Sequence, residues 1–201
     1  EFLDLYPPDD IQLPANVPPE MAQRARQELR GYYAHCSALD RCVGELLLEI
    51  ESAGIAEDTI FVFTSDHGEM MGGHGIRPYA KQVPWDESVR VPMLLRYPLV
   101  KRQAMQITEP INTPDIMPTL LSLAGVPIPA TVEGEDLSSW IRGGPRPDDR
   151  AVLYMCVSPF ERSLMREYRA IRTSRYTFVR DLEGPWLMYD DQADPLQMNN
   201  L

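Results

Sequence analysis

Positive charge is scarce in this sequence of 201 residues, which contains 19 lysines and arginines against 30 aspartates and glutamates. The formal net charge at pH 7 is therefore −11. Proteins that bind nucleic acid neutralise its phosphates with a basic surface, so this composition predicts no nucleic-acid partner. Small anionic substrates are not excluded, because a single lysine or arginine is enough to bind one anionic group.

Long apolar runs are also absent, and none approaches the roughly 20 residues that a membrane-spanning helix needs. We therefore predict no transmembrane segment within this sequence. The sequence begins with Glu1 and shows no targeting segment, and we interpret it as an excerpt of a longer protein.

Cysteine is rare as well, with only Cys36, Cys42 and Cys156 in the sequence. An odd number without the paired spacing of zinc ligands predicts neither a disulfide framework nor a zinc site. We expect all three to be buried as small hydrophobic side chains. The sequence also has no Gly-x-Ser-x-Gly elbow and no P-loop, so the residues by themselves identify no hydrolase nucleophile.

What the sequence does contain is a short apolar run that ends in an acid and a histidine. Residues 60–63 read Ile-Phe-Val-Phe, and Asp66 and His67 follow shortly after. This composition is typical of a strand buried on both faces of a parallel sheet, and ligands bind at the carboxyl ends of such strands. The glycines that follow let the backbone turn closely: Gly68, Gly72, Gly73 and Gly75. The pattern predicts a metal or anion site, with an Asx turn beside a satisfied histidine as the alternative.

Two further polar side chains follow: His74 lies among these glycines, and Lys81 lies in the loop after them. His74 is a candidate for substrate contact, with metal ligation, general acid catalysis or a backbone hydrogen bond as alternatives. Lys81 is close enough along the chain to reach an anion held at Asp66 and His67. Its ammonium suits a sulfuryl or phosphoryl oxygen, and a solvated surface position is the alternative. Asp115 is most simply a first-turn helix acid.

The order of the predicted elements indicates an α/β fold. A long helix is predicted from Pro19 to a stop at Gly54, with one apolar stripe that faces a core. Strands are predicted at 59–65 and 93–97, and helices at 114–124 and 137–141. We therefore predict a mostly parallel sheet flanked by helices over residues 1–150.

The last fifty residues show a different pattern. Short runs with turn signals between them predict an antiparallel sheet, with strands at 151–157, 168–173, 176–180 and 186–189. Ser174 and Arg175 make the tight connection of a hairpin. We therefore predict a small C-terminal subdomain over residues 151–201.

In chain order, many stretches of this sequence resemble the C-terminal half of a sulfatase, within the alkaline-phosphatase-like superfamily. They are residues 5–8, 32–44, 58–69, 73–75, 91–94, 114–121, 168–173 and 188–201. The resemblance covers nearly the whole chain, and it implies that residues 1–150 form the C-terminal part of the sulfatase α/β core. It also implies that the missing N-terminal part of the same protein is a partner of this chain.

The resemblance implies a specific role for the polar residues of the glycine-rich stretch. Sulfatases hold one divalent cation, usually Ca²⁺, and Asp66 and His67 match two of its ligands; Mn²⁺ and Mg²⁺ are alternatives. Lys81 matches the lysine that binds the sulfate, and we group His74 with it as a catalytic candidate. The nucleophile of the family is a formylglycine made from a Cys-x-Pro-x-Arg motif, which this sequence lacks.

The implied activity is therefore that of a sulfuric ester hydrolase whose nucleophile lies outside this chain. We expect sulfated sugars as substrates and no activity from this chain alone. A phosphonate monoester or phosphodiester hydrolase of the same superfamily is one alternative. A non-catalytic remnant that binds a metal or an anion is the other.

Overall fold

The computed structural model describes residues 1–100, 104–160 and 166–201, and the chain divides into two compact units. The first unit contains Glu1–Thr59, Phe63–Leu94 and Leu196–Met198. The second contains Ile60–Val62, Leu95–Pro195 and Asn199–Leu201. The two units are defined by contacts between backbone atoms, and their bounds differ from the predicted division at residue 150. The division into two domains at residue 150 therefore stays a prediction.

The helices and strands alternate in the first part of the chain, and strands dominate the last part. In order they are α1 (Ala22–Ser52), β1 (Phe61–Thr64), α2 (Asp86–Val89), β2 (Met93–Arg96), α3 (Thr113–Leu123), α4 (Ser138–Ile141), β3 (Val152–Cys156), β4 (Tyr168–Arg172), β5 (Tyr176–Arg180) and β6 (Pro185–Asp190). Short 3-10 turns occur at Phe2–Leu5, Pro8–Asp10, Pro19–Met21, Ala56–Asp58 and Gly73–Gly75. Within the described ranges, no helix is both long and apolar enough to cross a bilayer.

Helix α1 begins slightly later than predicted and ends where predicted. Pro19 opens a 3-10 turn, and the regular helix starts only at Ala22. Gly54 then adopts a φ of +72°, a conformation that favours glycine and stops the helix. Near the start of α1, Leu29 packs with Ile11 and Met71, so the proline-rich N-terminal segment lies against the helix.

The second half of α1 differs from the sequence expectation. Leu39 and Leu46 are exposed, although both belong to the apolar stripe that was expected to face a core. Cys36 and Cys42 are also exposed, so the prediction of burial was wrong for these two cysteines and right for Cys156. The reason is that periodicity identifies an apolar face, whereas burial requires that another element of the chain pack on that face.

Strand β1 is shorter and more open than predicted. Its residues Phe61 to Phe63 are half-buried and Thr64 is exposed, rather than all being covered on both faces. β1 is hydrogen-bonded to β2 in a two-stranded sheet. Asp66 and His67 therefore follow the end of a strand, as the sequence indicated, but the faces of that strand are only partly covered.

The predicted antiparallel sheet at the C-terminal end is confirmed. Four strands pair in the order β3-β4-β5-β6, and all three pairings are antiparallel. Alternate side chains point into the core from neighbouring strands: Tyr168, Ala170, Thr177, Val179, Leu187 and Tyr189. The hairpin at Ser174 and Arg175 is closed by the Thr173 amide, which donates to the Tyr176 carbonyl at 2.9 Å.

Helix α3 begins with a capping box that confirms the expected position of Asp115 in its first turn. The Asn112 side chain accepts from the Thr113 amide, and the Asp115 side chain accepts from the Asn112 amide at 2.8 Å. Arg150 also donates to Asp115 at 2.6 Å, and both side chains are only 8% exposed. The helix start is therefore tied to the segment that precedes β3.

Candidate functional site

Asp66 projects from the chain just after β1 as an exposed carboxylate. Its Oδ1 accepts from the His67 amide at 3.0 Å, and the Ser65 hydroxyl lies at 3.4 Å. Hydrogen bonding from its own backbone N–H, with support from His67 and Ser65, holds the pKa of Asp66 below its usual value. The side chain is 85% exposed, so the group is ionised and accessible to a cation at neutral pH.

His67 uses both ring nitrogens. Nε2 lies 2.8 Å from the Lys81 ammonium, and Nδ1 lies 2.8 Å from the Gly68 carbonyl oxygen. An ammonium can only donate, so Nε2 is the acceptor, and Nδ1 carries the hydrogen that is donated to Gly68. The Asp66 Oδ2 atom lies 3.5 Å from the same Nε2. The structure thus brings Asp66, His67 and Lys81 together around one point.

Lys81 is presented by a loop with an unusual backbone. Four non-glycine residues between positions 71 and 82 have positive φ: Met71, His74, Tyr79 and Gln82. Such conformations persist only where the surroundings enforce them, and they cluster at functional sites. Met70, Pro78 and Pro84 are fully buried, and their packing holds the loop backbone on both sides of Lys81.

Tyr79 adds a second constraint on this loop. Its hydroxyl donates to the Glu28 carboxylate of α1 at 2.7 Å. That hydrogen bond raises the pKa of Tyr79, because loss of the phenol proton would remove the donor and place a negative charge beside the Glu28 carboxylate. The loop backbone is therefore fixed to α1 two residues before Lys81.

Gly68 is required by a close approach to α2. Its amide donates to the Ser88 carbonyl at 2.7 Å, and a Cβ atom at this position would lie only 2.0 Å from the Glu87 carbonyl oxygen. The sequence predicted that Gly68 lets the chain turn. The structure shows instead that it lets the backbone after His67 pack directly on a neighbouring helix.

Glu69 is a member of the site that the sequence argument did not single out. Its Oε1 lies 3.7 Å from His67 Nδ1, and its side chain is 19% exposed. Its Oε2 is buried and has no hydrogen-bond partner among the described residues. The signal available in the sequence was its place two residues after His67, in the run Asp-His-Gly-Glu.

His74 lies in a different environment from His67 and Lys81. Its Nε2 is 3.2 Å from the Asn16 amide nitrogen and 3.7 Å from Glu87 Oε2. Its ring stacks on Trp85 with the centroids 4.8 Å apart, and the side chain is 13% exposed. These contacts are those of a packed loop histidine, so substrate contact by His74 stays a prediction.

The pair formed by Asp66 and His67 fits part of a divalent cation site. A carboxylate oxygen and an imidazole nitrogen 3.5 Å apart can both bind one cation, provided that Lys81 releases the His67 Nε2 atom. The carboxylate suits Ca²⁺, Mn²⁺ or Mg²⁺, whereas imidazole is a ligand more typical of transition metals. Among the residues that the structure describes, no group of three or more histidines, cysteines or acids could hold a metal. The chain therefore offers an incomplete ligand set, and the role of this pair stays a prediction.

An apolar groove of about 630 Å³ lies in the second unit. Residues from the start of β1 and from α3 line it, among them Ile60, Val62, Ile116 and Leu120. Its lining contains no titratable side chain among the described residues. The polar cluster after β1, and not this groove, is therefore the candidate for chemistry.

Comparison with known proteins identifies the class to which this architecture belongs. The sulfatase family model matches residues 6–126, and the model of the C-terminal region of N-sulphoglucosamine sulphohydrolase matches residues 72–201. The chain belongs to the sulfatase family. The resemblance stated from its motifs is thereby confirmed.

One relative matches the whole of this chain. An ulvan-active sulfatase from Formosa agariphila is 48% identical over 203 residues, which cover 100% of this chain and 40% of the relative. The chain thus spans about two fifths of the length of this relative.

Solved structures agree on the fold. A structure in complex with its substrate, D-glucosamine-2-N,6-O-disulfate, has a TM-score of 0.74 and 29% identity, covering 96% of this chain and 39% of that one. A phosphonate monoester hydrolase from Agrobacterium radiobacter has a TM-score of 0.72 and 25% identity, covering 89% and 38%. These neighbours confirm the expected α/β fold of the alkaline-phosphatase-like kind.

Proposed function

We propose that the protein containing this chain hydrolyses sulfate esters of sugars, and that this chain contributes one side of the active site. The observation that carries the proposal is the meeting of Lys81 Nζ, His67 Nε2 and Asp66 Oδ2 just after β1. A cationic donor beside an oxygen and a nitrogen ligand suits an anionic group that is bound together with a metal ion.

Each of the three residues has a distinct role in this proposal. Asp66 and His67 hold one divalent cation, Ca²⁺ in the first place and Mn²⁺ or Mg²⁺ as alternatives. When bound, that cation supplies positive charge to the oxygens of the transferring group. Lys81 donates hydrogen bonds to a sulfuryl oxygen and neutralises charge there. In the absence of the cation the strained loop holds the ammonium against His67 Nε2; in the proposed site the cation takes this nitrogen and the ammonium turns to the sulfuryl oxygen.

Transfer of the sulfuryl group requires a nucleophile that forms a new S–O bond while the bond between sulfur and the sugar oxygen breaks and the sugar leaves as an alcohol. We assign this nucleophile to the part of the protein outside this sequence. By analogy with the family it is a formylglycine. This chain alone is then expected to show no turnover. Turnover by the isolated, metal-loaded chain would contradict that division of the active site.

A sugar substrate is favoured by the activities of the similar proteins. One relative is an ulvan-active sulfatase, and one structural neighbour binds a disulfated glucosamine as its substrate. The second candidate is a phosphonate monoester hydrolase, which is supported by a structural neighbour at a TM-score of 0.72. Both reactions use a tetrahedral anionic centre, so the described cluster suits either one.

A substrate panel on the full-length protein distinguishes the candidates. Sulfated mono- and oligosaccharides, an aryl sulfate, choline sulfate and a phosphonate monoester would be compared by kcat/KM with Ca²⁺ and with Mn²⁺. We expect the sulfated sugars to give the highest values. A higher value for the phosphonate monoester would favour the second candidate, and no turnover of any ester would favour a non-catalytic remnant.

Lys81→Ala tests the central role of the lysine in that assay. Loss of one charge that stabilises the transition state should lower kcat by about a hundredfold or more. Arg24→Ala is the matched control, because it removes one cation from an exposed position of α1, and it should leave kcat unchanged. A loss of only a few fold in Lys81→Ala would mean that Lys81 does not stabilise the transition state.

A further inference from the structure

Gln197 is a buried amide in the C-terminal segment, far from the candidate site along the chain. Its side chain is only 1% exposed, and its φ is +54°. The short stretch Leu196–Met198 belongs to the first unit, together with Asp66, His67 and Lys81. A fully buried, non-glycine residue with positive φ is held in place by its surroundings.

Both ends of the Gln197 amide bind the first residue of α2. Its Oε1 accepts from the Asp86 amide at 3.0 Å, and its Nε2 donates to Asp86 Oδ1 at 3.3 Å. Helix α2 is only four residues long, Asp86–Val89. A helix of that length is not stable by itself, so contacts with other segments fix its position.

Helix α2 in turn fixes the backbone after His67. The Ser88 carbonyl accepts from the Gly68 amide at 2.7 Å, and the Glu87 carbonyl leaves no room for even a methyl group on Gly68. Gly68 also accepts the hydrogen bond from His67 Nδ1 at 2.8 Å. A shift of α2 must therefore move Gly68 and change the position of the His67 ring.

We propose that Gln197 is a positioning residue for His67 and that it acts through Asp86 and α2. The proposal rests on the proposed function only where it concerns turnover. The positioning itself is a property of the folded chain and can be measured without any substrate.

Hydrogen exchange of the Gly68 amide is the direct readout. In the full-length protein, Gln197→Leu keeps a similar volume and removes both hydrogen bonds to Asp86. We expect faster exchange in the peptide that contains Gly68, and a decrease in kcat/KM of about 10- to 100-fold, the size associated with a small misplacement. Both are measured well below the unfolding temperature of the variant.

Asn200→Ala is the matched control in the same segment. The Asn200 side chain also makes two hydrogen bonds, accepting from the Met188 amide at 2.8 Å and donating to the Trp186 carbonyl at 3.2 Å. Neither partner belongs to α2 or to the site. We expect unchanged exchange at Gly68 and unchanged kcat/KM, even if the unfolding temperature decreases as much as in Gln197→Leu.

A second pair of variants swaps the amide and the carboxylate between positions 197 and 86. It provides a rescue, and it covers the case in which Gln197→Leu does not fold. Gln197→Glu retains the acceptor for the Asp86 amide but places two carboxylates together, so exchange at Gly68 should accelerate. Adding Asp86→Asn restores a donor and an acceptor, and should return both exchange and kcat/KM towards the wild-type values. The double variant thus repairs the contact without touching His67.

The outcomes separate this proposal from the function. The positioning role would be overturned if the Gly68 amide exchanged as slowly in Gln197→Leu or Gln197→Glu as it does in Asn200→Ala. Faster exchange with unchanged kcat/KM would also overturn it, because His67 would then tolerate movement of its support. If the wild-type protein hydrolysed no sulfate ester, the proposed function would fail, and the exchange data would still decide whether Gln197 fixes the backbone that follows His67.

Discussion

Replacing Gly68 with alanine is the most direct test of how the candidate site is built. A Cβ atom on Gly68 would lie 2.0 Å from the Glu87 carbonyl oxygen, whereas real Cβ atoms essentially never come closer than 3.0 Å to another atom. The two backbones must therefore separate by at least 1.0 Å, the difference between these distances. The obstacle is a carbonyl group of the main chain, so no side-chain rotation can relieve the contact.

The size of the effect follows from that displacement. The hydrogen bond from the Gly68 amide to Ser88 is 2.7 Å long, and a further 1 Å takes it beyond the range of about 2.7–3.2 Å for such bonds. Losing it costs about 1 kcal/mol, and overpacking costs about 1–3 kcal/mol more. We therefore expect the free energy of unfolding to decrease by about 2–4 kcal/mol. Misplacing His67 by about 1 Å should lower kcat/KM by about a hundredfold.

The assay compares Gly68→Ala with Gly31→Ala in the full-length protein. Gly31 lies inside α1, and a Cβ atom there would meet nothing within 4 Å. Gly31→Ala should stabilise the protein by about 0.5–1 kcal/mol and leave turnover unchanged. If Gly68→Ala had the stability and the kcat/KM of Gly31→Ala, the close packing of Gly68 on α2 would be refuted.

Three further predictions concern separate parts of the chain. Asp66→Ala should abolish metal-dependent turnover and weaken cation binding in calorimetry, because the cation loses a charged oxygen ligand; near-normal turnover would remove Asp66 from the site. Arg150→Met should lower the free energy of unfolding by about 3 kcal/mol in a urea titration, since it leaves the buried Asp115 carboxylate without its cation; a loss below about 1 kcal/mol, the value for surface pairs, would contradict this account. The hydrogen bond from Arg175 holds the pKa of Asp190 below its usual value. The pair therefore contributes its full stabilisation above the unfolded pKa of an aspartate, about 3.9, and this stabilisation is lost as the pH falls through the lower, folded pKa. The free energy of unfolding of Arg175→Gln should therefore decrease less than that of the wild type on acidification. Equal decreases would show that the pair does not contribute to stability.

Much of the fold could be predicted because its signals are local. Gly54 ended α1 as expected, since its positive φ depends on the residue itself and not on distant contacts. The sheet from β3 to β6 could be predicted from short alternating runs joined by turns, because a hairpin pairs segments that are adjacent in sequence. The position of Asp66 and His67 just after a strand could be predicted from an equally local signal, the apolar run that precedes them.

Burial and support could not be predicted in the same way. Cys36 and Cys42 lie on α1, where burial was expected, but both are exposed. The prediction was wrong because an apolar stripe on a helix does not reveal which element packs on it. Glu69 and Gln197 did not stand out, since an acid in a loop and an amide near the end of a chain are ordinary in sequence. Their significance comes from contacts with His67 and Asp86.

The sequence by itself therefore determined the elements and the chemical types at the candidate site: a strand followed by an acid and a histidine, and a lysine further along the loop. Only the tertiary structure decided that Lys81 meets His67 at 2.8 Å and that Gly68 packs on α2. The physical reason is one of range. Backbone preferences act over a few residues, whereas the position of a side chain in a site depends on packing between segments that are distant in the sequence.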